Sequence, residues 1–184
     1  RKMKLVKTFF VMLYVQLVLQ YGIIPVMLWG MDDAGEFRIW TYFYFAIALI
    51  SFVAVQVVGC ISAVSAVKMH LNSEHEVLKK SWLLLKLKTI PFYILNFIYG
   101  VAYIIGIIGA SRGLVVMAVI PILMPIWYTC AFIVQSGFFG AANVAFLRKE
   151  YGDRISAIHY VLQFVPVLDV VSTLIVRKKV KTLD

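Results

Sequence analysis

The sequence predicts an all-α integral membrane protein: four transmembrane helices in two hairpins, with both termini and its amphipathic helices on the cytoplasmic side. Three observations predict it. First, 62% of the 184 residues are hydrophobic and 15% charged, where a soluble domain carries about 45–50% and about 25%; mean hydropathy is +0.91. Second, the uncharged residues fall in long runs, and about 20 helical residues cross a hydrocarbon core some 30 Å thick. Third, the 18 Lys and Arg, set against 9 Asp and Glu for a net charge of +9, gather at the ends of those runs. In a soluble chain such an excess would point to nucleic acid; placed here it points to membrane orientation.

Four basic residues, Arg1 to Lys7, precede the uncharged run from Thr8 to Trp29. A secretory signal has an apolar region of only about 7–15 residues and a small-residue cleavage site. This run is longer and ends in Met27-Leu28-Trp29, so it is expected to be a retained first span, about 8–29. An acidic loop with Asp32, Asp33 and Glu36 follows. The second span, about 39–67, opens with Trp40, Tyr42 and Tyr44, which suit a membrane interface. Its far end holds Gly59, Ser62, Ala63 and Ala66, small residues four apart that let helix backbones approach closely in lipid.

Lys68 to Lys88 is the one long polar connection. Ser73-Glu74-His75-Glu76 fits the S-x-x-E capping box and predicts a helix start at Ser73. The resulting interfacial helix, about 74–88, would present Lys79, Lys80, Lys86 and Lys88 to water or lipid phosphate. The third span, about 90–110, has Pro91 in its first turn, where a missing amide hydrogen costs least. Ser111-Arg112 makes a tight outer turn.

Gly113 to Leu147 then runs for 35 residues without a formal charge, too long for one straight crossing. It reads as a span over about 114–134, kinked by Pro121 and Pro125, and a small-residue inner extension to 147 packed against protein. Beyond Arg148-Lys149-Glu150, a segment of about 155–176 holds His159, Gln163, Pro166 and Asp169. After the proline, Val167, Leu168, Val170, Val171, Leu174 and Ile175 share one helical face, with Asp169, Ser172 and Thr173 opposite. Two amphipathic pieces hinged at Pro166 fit an interfacial or re-entrant element, with the polar face expected in water.

Charge decides the topology. With the N-terminus inside, four crossings and the tail inside, 16 basic residues lie on the cytoplasmic side and two, Arg38 and Arg112, outside. This is the positive-inside pattern. A fifth crossing would export Arg177 to Lys181 and weaken it. The whole chain, 1–184, reads as a single membrane domain.

Few residues could carry chemistry. His70, Glu74, His75 and Glu76 match no zinc-binding spacing and read as capping and surface charge. Cys60 and Cys130 read as buried free thiols, with no paired framework. Asp169 is the one acidic residue within an apolar run; with His159 it could form a proton relay or hold a cation, since an ionisable group at membrane depth is costly. Gln16, Gln20, Gln56, Asn96, Gln135 and Asn143 read as interhelical hydrogen-bonding groups. No nucleophile elbow, P-loop, dinucleotide fingerprint or thiol redox pair occurs. No catalytic, cofactor-binding or metal residue is therefore expected; the candidates for function or packing are Asp169, His159, Pro121, Pro125, Asn96 and Gln135.

The expected protein is a non-enzymatic, bacterial-type inner-membrane protein acting through helix–helix association, as an accessory, immunity or regulatory subunit of a membrane complex. The alternative is a small oligomeric transporter or channel using the kinked fourth helix and Asp169. Expected partners are the lipid bilayer, anionic headgroups at the basic cytoplasmic helices, and a membrane protein or further copies of the chain. Nucleic acid is not expected.

Overall fold

The computed structural model describes residues 2–30, 36–110, 115–165 and 167–182. The acidic residues Asp32 and Asp33, the outer turn Ser111-Arg112 and the hinge residue Pro166 lie outside the described residues. The fold is all-helical. In chain order it comprises α1 (Lys2–Trp29), α2 (Ile39–Leu71), α3 (His75–Lys88), α4 (Ile90–Ala110), α5 (Val115–Tyr151), a single 3-10 turn (Gly152–Arg154), α6 (Ile158–Leu162) and α7 (Leu168–Lys181). Among the described residues four stretches are long and apolar enough to cross a membrane: Lys2–Val26, Ile39–Leu71, His75–Ile105 and Pro125–Arg154.

α5 is the central element, touching α2, α3, α4, α6 and α7. From Val115 the long uncharged run is one continuous helix, which extends past it to Tyr151 for 37 residues in all. Phe9, Phe92, Tyr128, Phe132 and Phe139 are buried around it, with Phe92 and Phe132 ring centroids 5.5 Å apart. Small residues set the helix spacing. A Cβ on Gly59 of α2 would overlap the side chain of Gln135, and one on Gly22 of α1 would overlap the Tyr44 hydroxyl. Tyr14 and Tyr44 donate to the carbonyls of Lys88 (3.0 Å) and Leu19 (2.5 Å), stitching neighbouring helices together.

The turn between α2 and α3 corrects the capping-box expectation. Ser73 has φ +56°; its N–H bonds the His70 carbonyl and the Glu74 N–H bonds the Met69 carbonyl. That pair of bonds is a Schellman closure, so Ser73 terminates α2 and does not start α3. Glu74 takes the cap position of α3 without a side-chain cap bond, its carboxylate being held by Lys2 at 2.5 Å.

α3 leaves Lys79, Lys80 and Lys88 exposed but packs its other face into the bundle. Leu78, Ser81, Trp82, Leu85 and Lys86 are buried against α1, α2, α5 and α7, and only Thr89 separates α3 from α4. The tail forms two helical pieces, as its pattern suggests. α6 ends at Leu162, and α7 starts at Leu168 and runs on to Lys181.

Candidate functional site

The strongest concentration of buried polarity lies where α3, α5 and the tail meet. Lys86 is 1% exposed and Asp169 0%. The Lys86 ammonium donates to the Asp169 carboxylate at 2.7 Å, to the Ser136 hydroxyl at 3.2 Å and to the Gln163 carbonyl at 3.4 Å. An ammonium has three N–H donors, so each has an acceptor. Asp169 lies in the first turn of α7, where the helix dipole favours an anion, and its second carboxylate oxygen accepts the Val170 N–H at 2.7 Å. Removing an ion from water costs several kcal/mol, and a buried pair is tolerable only when its remaining hydrogen-bonding capacity is met. Here it is met.

A second ring of contacts surrounds the pair. Ser172 lies 2.9 Å from His159 Nδ1 and accepts from Gln163 Nε2 at 3.0 Å, while Thr173 bonds back to the Asp169 carbonyl. Burial, and secondarily the charge of Lys179, pulls the His159 imidazole below its ordinary range. The neutral ring is favoured.

The small residues of α5 make room for this network. A Cβ on Gly140 would overlap the Gln163 side chain, and one on Gly137 would stand 2.5 Å from the Phe164 ring. The inner extension of α5 thus packs against the chain's own tail. Val167, at the junction between α6 and α7, has φ +66°, a costly conformation for a β-branched residue. It persists because both flanking segments are held.

These placements revise two expectations. Lys86 does not reach water, and Asp169, Ser172 and Thr173 are not on a wet face. Leu168, Val171, Leu174 and Ile175 are the exposed apolar side chains of α7. The periodicity was legible, but the polar face turns inward because it is the face with partners. His159 and Asp169 do share the site, joined through Ser172 and α7 rather than by direct contact. Lys86, Ser136 and Gln163 escaped notice as site residues. For Lys86 the available signal was its place between the apolar neighbours Leu83, Leu84, Leu85 and Leu87.

The other candidates lie elsewhere. Asn96 Nδ2 donates to the Pro125 carbonyl (3.1 Å) and the Thr129 hydroxyl (2.6 Å), linking α4 to α5. Gln135 Nε2 donates to the Gln56 side-chain oxygen at 3.1 Å, linking α5 to α2. Both are interhelical links of the expected kind. α5 continues as helix through Pro121 and Pro125; the Pro121 side chain lies outside the described residues. Cys60 and Cys130 are free but exposed, which corrects their expected burial; Cys60 Sγ lies 3.9 Å from Gln135 Nε2 of α5. The histidine–glutamate cluster is dispersed. Glu74 pairs with Lys2, which holds its carboxyl below the usual range; His75 stacks on Phe146 at 3.7 Å; Glu76 faces Lys80. Among the described residues no three potential ligands converge on a metal position.

A family model, Family of unknown function (DUF6652), matches residues 4–182. No curated protein and no solved structure matches the chain.

Proposed function

We propose, for a chain that belongs to the family of unknown function DUF6652, a non-enzymatic role in a cell membrane: a multi-pass protein that works by helix–helix association, as an accessory or regulatory subunit of a membrane complex. Both termini lie on the cytoplasmic side in this reading, as the 16 basic residues there favour. One observation carries it. The tail turns its polar face into the bundle, where Lys86 has every donor matched, and its apolar face outward. With the ammonium saturated, the site is built to hold the tail in place, and contact with anything else falls to the apolar exterior. On α2 that exterior is a stripe of Phe43, Ile47, Ile50, Ala54, Val57, Ile61 and Val64, spaced alternately four and three, with every large member exposed. That spacing suits left-handed packing against another membrane helix.

Photo-crosslinking tests this. A photoreactive residue in place of Ile50, activated in native membranes, is expected to give one discrete protein adduct, with a partner or a second copy. Adducts with lipid alone would contradict it. The buried Lys86–Asp169 pair favours a second reading, an oligomeric transporter or channel, because ionised groups at membrane depth often mark ion paths. Solute or ion flux in liposomes, lost on Asp169→Asn, would establish that reading instead.

A further inference from the structure

An elongated groove of about 700 Å³ runs along the outer side of α4 and α5 and ends against the start of α7. Ile90, Ile94, Phe97 and Ile104 form one wall, Ile126 part of the other, and Val167 and Val170 close the end. Asn96 and Thr129 contribute little polarity to its surface because they bond each other and the Pro125 carbonyl. The interior is therefore that of a hydrocarbon site. Gly100 lies midway along it, and a Cβ added there would meet nothing within 4 Å. The missing side chain is part of what makes the groove.

Length and an apolar lining point to the occupant. Ile90 to Ile104 spans about 21 Å of helix, somewhat more than the ~15 Å of hydrocarbon in one leaflet. A single extended acyl chain lying lengthwise matches that dimension, and the apolar lining suits it. Charge specifies the other end. Val167, Val170, Leu174, Arg177 and Lys181 follow at i, i+3, i+7, i+10 and i+14, so the face of α7 that closes the groove leads to two exposed cations.

We infer that this groove holds one acyl chain of an anionic phospholipid, with the headgroup phosphate met by Arg177 and Lys181. The inference rests on the membrane reading above and names the lipid it selects. Each nearby basic residue strengthens attraction to an anionic headgroup about fivefold, so discrimination between anionic and zwitterionic lipid is the expected signature.

The test uses the purified full chain, stripped of lipid in detergent and offered equal phosphatidylglycerol and phosphatidylcholine, with retained lipid read by intact-complex mass spectrometry. The expected result is one lipid per chain, phosphatidylglycerol preferred about thirtyfold. Gly100→Phe, which fills the groove, should lower retained lipid at least tenfold. Arg177→Gln with Lys181→Gln, both at exposed positions, should abolish the preference while leaving a lipid bound. Equal retention of both lipids by the unaltered chain, or undiminished retention by Gly100→Phe, would overturn the inference. An alkaline wash of the source membranes separates the two failures. A chain that stays in the washed membrane yet retains no selective lipid overturns the lipid site alone, and a chain that washes off overturns the membrane reading with it.

Discussion

Lys86 and Asp169 lie 83 residues apart in sequence and 2.7 Å apart in space. Removing one partner of a buried pair strands the other, which costs about 3–5 kcal/mol, whereas replacing both by apolar residues of similar size is often neutral or stabilising. Lys86→Met and Asp169→Leu should therefore each destabilise the folded chain by about that amount, and the double variant should recover most of it, as read by thermal unfolding in detergent. Additive losses in the double variant would mean that the two charges do not act as a pair. Asp169 was legible as a candidate because it is the one acid in an apolar run. Lys86 was harder to single out, because it shares its helix with Lys79, Lys80 and Lys88, and only its apolar neighbours Leu83, Leu84, Leu85 and Leu87 set it apart.

At the scale of elements, hydrophobic periodicity located the faces of α7 but not their direction. In water the apolar face of an amphipathic helix packs inward. In lipid that preference weakens, since hydrocarbon solvates an apolar side chain as well as protein does, and the face with hydrogen-bonding partners turns in. The same limit explains α3, whose lysines suggested a surface helix while Leu78, Trp82 and Leu85 bury it. The capping box misled for a different reason: Ser73 closes the preceding helix, and a residue at φ +56° cannot also serve as the extended cap of the next. If the outward face of α7 lies in lipid, cysteines placed at Val171 or Leu174 should react at least tenfold more slowly with a membrane-impermeant maleimide than one at Lys178. The background for this would carry Cys60→Ala and Cys130→Ala. Equal rates would put that face in water.

For the whole molecule, runs and charges in the sequence lead to four helices long enough to cross a membrane, and among the described residues the structure contains four. The excess length of α5 pointed to an interface, and its occupant is the chain's own tail, seated on Gly137 and Gly140. Which of several candidate occupants would take that place depended on contacts between residues far apart in sequence, and periodicity carries no such information. The central claim is that the bundle closes on this tail, and a designed disulfide tests it most directly. A Cβ at Gly140 would stand 2.6 Å from Gln163 Cγ, which places the two Cβ atoms near the ~3.5–4.5 Å that a disulfide requires. With Cys60→Ala and Cys130→Ala, the pair Gly140→Cys and Gln163→Cys should oxidise almost completely in native membranes and lose that reactivity when Asp169→Ala is added. Failure to cross-link, with both thiols open to maleimide, would show that the tail does not dock and would contradict the account.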